Sequence, residues 1–274
     1  MLIRKSEIKK LSDDIRRIID GQNIDLRDNR AGVFSMLKND IHTLAYHKNE
    51  QVDTLQHDRT LMMDMLTNIS HQLKTPLTSM MIMADLLSHA PPEKQAEFIT
   101  NIQAGLTRMN WLVSSLLKMA KLDAGAVEFG RERVRASELI GLALEPLQIL
   151  LEVKDQSVEV LSEAEIACDK RWTAEALTNI LKNASEYSPQ GGKIQIESGE
   201  NPICSWISLT DSGPGITKNE IPGLFRRFAG SRSEKGYGIG LPLARAIMHS
   251  QNGDIEVEGG GKEKGATFTL KFFK

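Results

Sequence analysis

Cysteine is nearly absent from this chain: two in 274 residues, Cys168 and Cys204, far apart and at no metal-ligand spacing. That excludes a disulfide framework and suits two buried thiols in a reducing cytosol. An excess of charge of one sign is also missing, because 34 Lys and Arg stand against 36 Asp and Glu, for a formal net charge of -2. Such a balance argues against a nucleic-acid partner, which would call for a basic patch and a high pI. No run approaches the ~18 consecutive apolar residues of a membrane span, and no signal-peptide pattern is visible. Either the protein is soluble or a membrane-spanning N-terminus precedes it, with Met1-Leu2-Ile3-Arg4-Lys5 as the inner edge of such an anchor.

What is present is an ordinary globular composition, 41% hydrophobic and 26% charged, in a length that suits two or three small domains. Up to about residue 60 the chain is helical and charged. Ile8, Leu11, Ile15 and Ile18 form a short amphipathic stripe, and the polar stretch Gln22 to Arg30 reads as a connector. From Gly32 a second pattern runs through Leu37, Ile41 and Leu44, weakens at Lys48 and resumes at Leu55 and Met62. One long helix over about 33–88 is expected, and its seven-residue spacing favours a coiled-coil seam.

Within that helix lies His71-Gln72-Leu73-Lys74-Thr75-Pro76-Leu77. The surrounding stripe Met62, Leu66, Ile69, Leu73, Leu77, Met80, Leu87 advances in three- and four-residue steps and marks one buried face. His71, two positions from both Ile69 and Leu73, stands roughly 200° away on a helix turning about 100° per residue. Its imidazole is expected to face solvent or a partner, which suits a phosphorylatable nucleophile. Ala90-Pro91-Pro92 ends the helix, and a second stripe follows: Phe98, Ile102, Leu106, Met109, Val113, Leu116, Ala120. The wide apolar faces of this hairpin call for cover, either by dimerisation into a four-helix bundle or by packing against the C-terminal region.

After Ala124-Gly125-Ala126, a plausible linker, the pattern changes. Strands are predicted at 193–197, 204–210, 254–257 and 266–272, with helices at about 137–150, 171–187 and 240–250, which reads as an α/β sandwich. Three motifs converge there. Asn179 and Asn183 lie four residues apart on one helix face, and an Asn carbonyl suits magnesium, a hard cation. Asp211-Ser212-Gly213-Pro214-Gly215 follows an apolar strand, where a carboxylate can accept from an adenine amino group. Gly236-Tyr237-Gly238-Ile239-Gly240-Leu241 opens onto a helix N-terminus, which offers bare N–H groups to phosphate. Each motif is weak singly, and a Rossmann reading fails because the glycines do not follow the first strand of a βαβ unit.

In this order, downstream of an outward His, the motifs resemble those of the sensor histidine kinases of bacterial two-component systems, over about residues 60–274. His71–Leu77 is similar to the phosphoacceptor box, Asn179–Ala184 to the Asn box, and Asp211–Gly215 to the first glycine box. Ile221–Phe228 resembles the phenylalanine-containing box before the ATP lid, Gly236–Leu241 the second glycine box, and Gly265-Ala266-Thr267-Phe268 the last turn of that domain type. The resemblance implies an α+β protein: a dimeric helical hairpin over 59–127, then a Bergerat-type ATP-binding domain over 128–274. It implies phosphoryl transfer from Mg-ATP to His71, onward to an Asp of a response regulator, with dephosphorylation of that regulator.

The same resemblance assigns catalytic roles to His71, Gln72 and Thr75. It assigns nucleotide contacts to Asn179, Asn183, Tyr187, Asp211, Gly213, Gly215, Arg227, Gly236, Gly238, Gly240, Leu241 and Thr267, with Asn183 on the metal. Arg226, Arg227, Arg232 and Lys235 flank the lid and can offset phosphate charge or stand solvated. Residues 1–58 resemble a HAMP-type relay, with Asp28-Asn29-Arg30-Ala31-Gly32 at its acidic-glycine turn. The first-helix proline of that module is absent and Ala31 stands where an acid is common, so a plain coiled-coil linker is the alternative. The reading is thus of a homodimeric cytoplasmic part of a membrane-anchored sensor. Gln72 departs from the usual Glu or Asp after the His, and Glu186 from a frequent basic residue near the phosphates. Those departures leave open a non-catalytic module that binds nucleotide and a partner. A free-standing gyrase-like ATPase fits less well, since such ATPases usually carry a water-activating Glu where Asn179 stands.

Overall fold

A computed structural model describes residues 5–19, 22, 24–27, 32–228, 238–259 and 265–274, without the side chains of Asp53, His57, Asp58 and Leu61. It divides into two compact units, Met1–Thr67 and Asn68–Lys274. In the first, α1 (Lys5–Ile19) buries Leu11, and Leu26 of the connector is buried too. The expected turn over Asp28–Ala31 lies outside the described residues. The helix α2 (Val33–Leu87) matches the predicted span and crosses the boundary between the units. Its threonines are satisfied internally: Thr43, Thr54, Thr60 and Thr67 each donate to the carbonyl one turn back. The seam positions Leu37, Leu44, Leu55 and Met62 are exposed in the single chain.

In the second unit α2 turns over Ser88–Pro91 into α3 (Pro92–Asp123), with Pro92 at the first helical position, where its missing N–H costs nothing. The two helices touch where Gly105 admits Met80: a Cβ on Gly105 would lie 2.7 Å from the Met80 sulfur. The far end of α3 departs from the predicted stripe. Leu112, Ser115, Met119 and Leu122 are buried there, whereas Val113 and Ala120 are exposed. The reason is the neighbour: this face joins the same core as the C-terminal region. Packing against that region therefore accounts for the end of α3, while Leu66, Leu77, Leu106 and Leu117 remain open.

α3 stops at a Schellman motif. The Ala126 amide returns to the Lys121 carbonyl and that of Gly125 to Leu122, with Gly125 in the left-handed region at φ +60°. Beyond it β1 (Glu132–Arg135) pairs antiparallel with β3 (Glu165–Cys168). A five-stranded sheet has the order β2-β4-β5-β7-β6, formed by β2 (Ser157–Val160), β4 (Lys193–Glu200), β5 (Cys204–Thr210), β6 (Gly253–Gly259) and β7 (Ala266–Phe273). Only β2 and β4 run parallel. Ile194 and Ile196, Ile207 and Leu209, and Phe268, Leu270 and Phe272 are buried on one face. They share a core with α4 (Ala136–Leu144), α6 (Lys170–Tyr187) and α7 (Gly240–Ser250). The helix expected at 137–150 is broken by a 3-10 turn at Glu145–Leu147, where Pro146 sits, and resumes as α5 (Gln148–Val153). Cys168 and Cys204 are free and buried, and desolvation pushes the Cys168 thiol up to about 11. No helix among the described residues is long and apolar enough to cross a membrane.

Candidate nucleotide and phosphoacceptor sites

Asp169 starts α6 by accepting from the Trp172 amide at 2.9 Å, and it also ties down the Gly130 amide at 2.9 Å. Asn179 is buried. Its Nδ2 donates to Glu175 O one turn back, at 2.9 Å, and its Oδ1 lies against the first residue of α7. A Cβ on Gly240 would sit 3.1 Å from that oxygen, so the glycine lets α7 begin directly over the Asn179 carboxamide. One turn further, Asn183 is half-buried and its carboxamide has no hydrogen-bond partner among the described residues. An unpartnered amide oxygen is a ligand suited to a hard cation; Asn183 Oδ1 fits magnesium, and Asn179, whose Nδ2 alone is engaged, could add its own Oδ1. Glu186 and Tyr187 are half-buried at the end of the helix.

Asp211 lies just past the end of β5, 7% exposed. Its Oδ1 accepts from the amides of Gly213 (2.8 Å) and Ala266 (3.1 Å). Its Oδ2 has no partner among the described residues and is not sealed from solvent. Burial raises the carboxyl above its ordinary range, and the two amides act against that rise. One oxygen is thus fixed while the other is offered, the arrangement an amino group of adenine needs. The wall is made by glycine: a Cβ on Gly265, at φ +70°, would come 1.8 Å from the Asp211 carbonyl oxygen. A Cβ on Gly213 would meet Asp211 Oδ1 at 2.9 Å and Tyr187 O at 3.0 Å. Gly215 adopts φ +75°. Thr267 is paired across the sheet with Thr210, hydroxyl to hydroxyl at 2.9 Å. Ser188, absent from the sequence expectations, joins this wall by accepting from the Ser212 amide at 3.2 Å.

The segment 221–228 folds back on the core through Leu224, Phe225 and Phe228. The Arg245 guanidinium of α7 lies 4.8 Å from the Phe225 ring centroid. Phe228, at φ +57°, donates its amide to Gly238 O at 3.0 Å, and Gly238 is itself at φ +65°. Leu241 is buried in the first turn of α7. Gly236, Arg232 and Lys235 lie outside the described residues. Arg227 is held by α3: its Nη1 and Nη2 reach Asp123 Oδ2 and Oδ1 at 2.8 and 2.7 Å. Beside that pair Lys118 meets Glu175 at 2.7 Å, and Lys182 stands 4.4 Å over the Trp111 ring. No sequence motif pointed to these α3 partners.

On α2, His71 is exposed and Gln72 half-buried, as the stripe required, while Leu73 packs on the core. The Thr75 hydroxyl donates to His71 O at 3.3 Å. Pro76 stays within the helix, where it supplies no donor to the Gln72 carbonyl. No hydrogen bond or ion pair among the described residues links His71 to the nucleotide set. The geometry therefore gives an exposed imidazole and, separately, a buried carboxylate with one oxygen unpartnered and an Asn carboxamide able to offer its oxygen to a cation.

Two family models match the chain. Residues 61–125 match the His Kinase A (phospho-acceptor) domain, and 168–274 match the Histidine kinase-, DNA gyrase B-, and HSP90-like ATPase. The Sensor histidine kinase WalK of Bacillus subtilis (strain 168) is 30% identical over 225 residues, 76% of this chain and 36% of WalK. The chain thus spans about a third of that relative's length. Among solved structures, the histidine kinase AdeS of Acinetobacter baumannii superposes with a TM-score of 0.63 at 22% identity, over 74% of this chain and 97% of that one. The histidine kinase ThkA, solved in complex with response regulator protein TrrA, gives 0.63 at 20%, over 83% and 66%. These structures share the fold of a helical hairpin followed by an α/β layer. With both domains present, in that order, the chain belongs to the sensor histidine kinases of two-component systems.

Proposed function

We propose that this protein is an ATP-dependent protein-histidine kinase that phosphorylates His71 and passes the phosphoryl group to an Asp of a response regulator. The observation that carries it is the pairing of an exposed His71 with Asp211, whose free Oδ2 is aimed by two backbone amides. Neutral imidazole dominates near pH 7 for a group with a reference pKa of ~6.5, so a ring nitrogen has a lone pair to offer. The new P–N bond forms at the γ-phosphorus as the P–O bond to ADP breaks. Gln72 can accept a hydrogen bond from the other ring N–H but cannot take its proton, which leaves to water. Asn183, supported by Asn179, would hold the magnesium, whose charge offsets that of the phosphates. Tyr187, Gly213 and Gly215 would bound the base, and Gly236, Gly238, Gly240 and Leu241 the phosphates, with Arg227 and Thr267 at the rim.

Thr75, one turn after His71, would place the water that dephosphorylates the regulator. The complex of ThkA with TrrA supports a response regulator as partner. Exposed Leu66, Leu77, Leu106 and Leu117 support a homodimer closed by a four-helix bundle over 59–127. Residues 1–58 would relay signals to it from a membrane-anchored sensor segment, and 128–274 would form the ATP-binding domain, on the cytoplasmic side.

Incubation with radiolabelled Mg-ATP beside His71→Ala tests this reading. Acid-labile, alkali-stable label that disappears in the variant is the expected result. Nucleotide binding without label in either protein would favour the non-catalytic module, which Gln72 keeps open because it cannot act as a base.

A further inference from the structure

The C-terminal end of α6 is held from outside by two side chains of a single turn. α5 ends with Asp155 in the left-handed region, φ +49°, and the amides of Asp155 and Gln156 return to Glu152 O and Leu151 O at 3.0 and 2.9 Å. Lys154 and Gln156 flank that residue, and both reach the same helix end. Lys154 Nζ donates to the carbonyls of Ser185 (2.6 Å), Glu186 (3.2 Å) and Ser188 (3.3 Å). Gln156 Nε2 donates to those of Ser185 (3.1 Å), Ser188 (3.1 Å) and Pro189 (3.0 Å). Gln156 Oε1 accepts from the Ser185 hydroxyl at 2.6 Å. A helix leaves its last carbonyls unpaired at the negative end of its dipole. Here an ammonium and a carboxamide take them up.

The helix end so held also packs on the Ser212–Gly213 turn beside Asp211. Ser188 Oγ receives the Ser212 amide, a Cβ on Gly213 would come 3.0 Å from Tyr187 O, and the Gly213 amide fixes Asp211 Oδ1. A continuous chain of contacts therefore runs from Lys154 and Gln156 through Ser188 and Ser212 to Asp211.

We propose that Lys154 and Gln156 are positioning residues for adenine recognition. They set the end of α6 against the Ser212–Gly213 turn and so aim Asp211 Oδ2 at the base, a role that rests on reading Asp211 as the adenine acceptor. The test is displacement of a fluorescent ATP analogue from the full chain by ATP and by GTP, with thermal unfolding recorded in parallel. Lys154→Met is expected to lower ATP affinity about tenfold and to shrink the preference for ATP over GTP by a similar factor, as loss of hydrogen bonds to a charged donor allows. Lys154→Arg restores most of that preference. Partial unfolding scales both affinities alike, so the ratio reports positioning and not stability. Should Lys154→Met fail to fold, Gln156→Leu gives the same reading through a neutral side chain. An unchanged ATP-to-GTP ratio in the folded variant overturns the proposal, whatever happens to the melting temperature. Asp211→Asn separates the two ideas: if it abolishes the preference while Lys154→Met does not, only the positioning role falls. If it leaves the preference intact, the adenine reading falls and the positioning role with it.

Discussion

Arg227 and Asp123 form a two-pronged ion pair across 104 residues of sequence, joining the segment 221–228 to the last residue of α3. With Lys118–Glu175 and Lys182 over Trp111, it fastens α3 to α6 and to the segment 221–228. An Arg227 so engaged would have to leave Asp123 to reach a phosphate. Asp123→Asn is therefore expected to raise the autophosphorylation rate. The pair is partly exposed, at 37% and 45%, and such pairs contribute at most about 1 kcal/mol, or roughly fivefold. An unchanged or lower initial rate at saturating ATP would show that the contact does not restrain the reaction.

Gln72 cannot accept the proton that His71 must lose. Installing a carboxylate, Gln72→Glu, is expected to speed autophosphorylation by about a hundredfold, the lower end of general-base effects. The measurement is single-turnover labelling from ATP, and equal rates would mean that proton transfer does not limit the step.

Thr75 donates its hydroxyl to the His71 carbonyl and stands on nearly the same face. Thr75→Ala is expected to keep autophosphorylation within about twofold while regulator dephosphorylation falls by about tenfold or more, the scale of losing one positioned hydrogen bond. Decay of a phosphorylated regulator in the presence of each protein reads this directly, and equal decay rates would remove Thr75 from the role.

The proposed acceptance from adenine is strongest with Asp211 ionised, and burial raises its carboxyl. The sign follows: as pH falls, Asp211 protonates earlier than an ordinary carboxylate, and ATP affinity falls with it. Asp211→Asn is expected to bind ATP about 10- to 100-fold more weakly, the worth of a hydrogen bond to a charged group, and to lose that pH dependence. Calorimetric titration of both proteins from neutral pH down to the acid limit of the fold separates the two. An Asp211→Asn affinity equal to that of the wild type at neutral pH would place the acceptor elsewhere.

The sequence carried some of these features openly and hid others for identifiable reasons. The bounds of α2 and α3 were readable because Pro91 and Pro92 interrupt long three-and-four stripes. The strands β4 to β7 were readable from their apolar runs. The strands β1, β2 and β3 were not, since four residues such as Glu132-Arg133-Val134-Arg135 offer too short an alternation to stand out from charged loop. The burial of Leu112 and Met119 in place of Val113 and Ala120 depends on a neighbour that helical periodicity cannot name. The exposure of His71 needed only the stripe around it. The partners Asp123 of Arg227, and Lys154 of the α6 carbonyls, carry no motif, because any carboxylate or amine at the right place would serve.

The double link between Asp211 and Ala266, amide to carbonyl and amide to carboxylate, spans 55 residues and lies beside the β5–β7 seam. The hairpins β4–β5 and β6–β7 can form locally, but this seam closes only after a long loop has been brought together. Hence the Asp211 carboxylate is oriented by the same event that completes the sheet. A nucleotide that bound to it would recognise only the finished domain and act as a folding ligand, adding about 2.7 kcal/mol to its stability at a hundredfold excess over Kd.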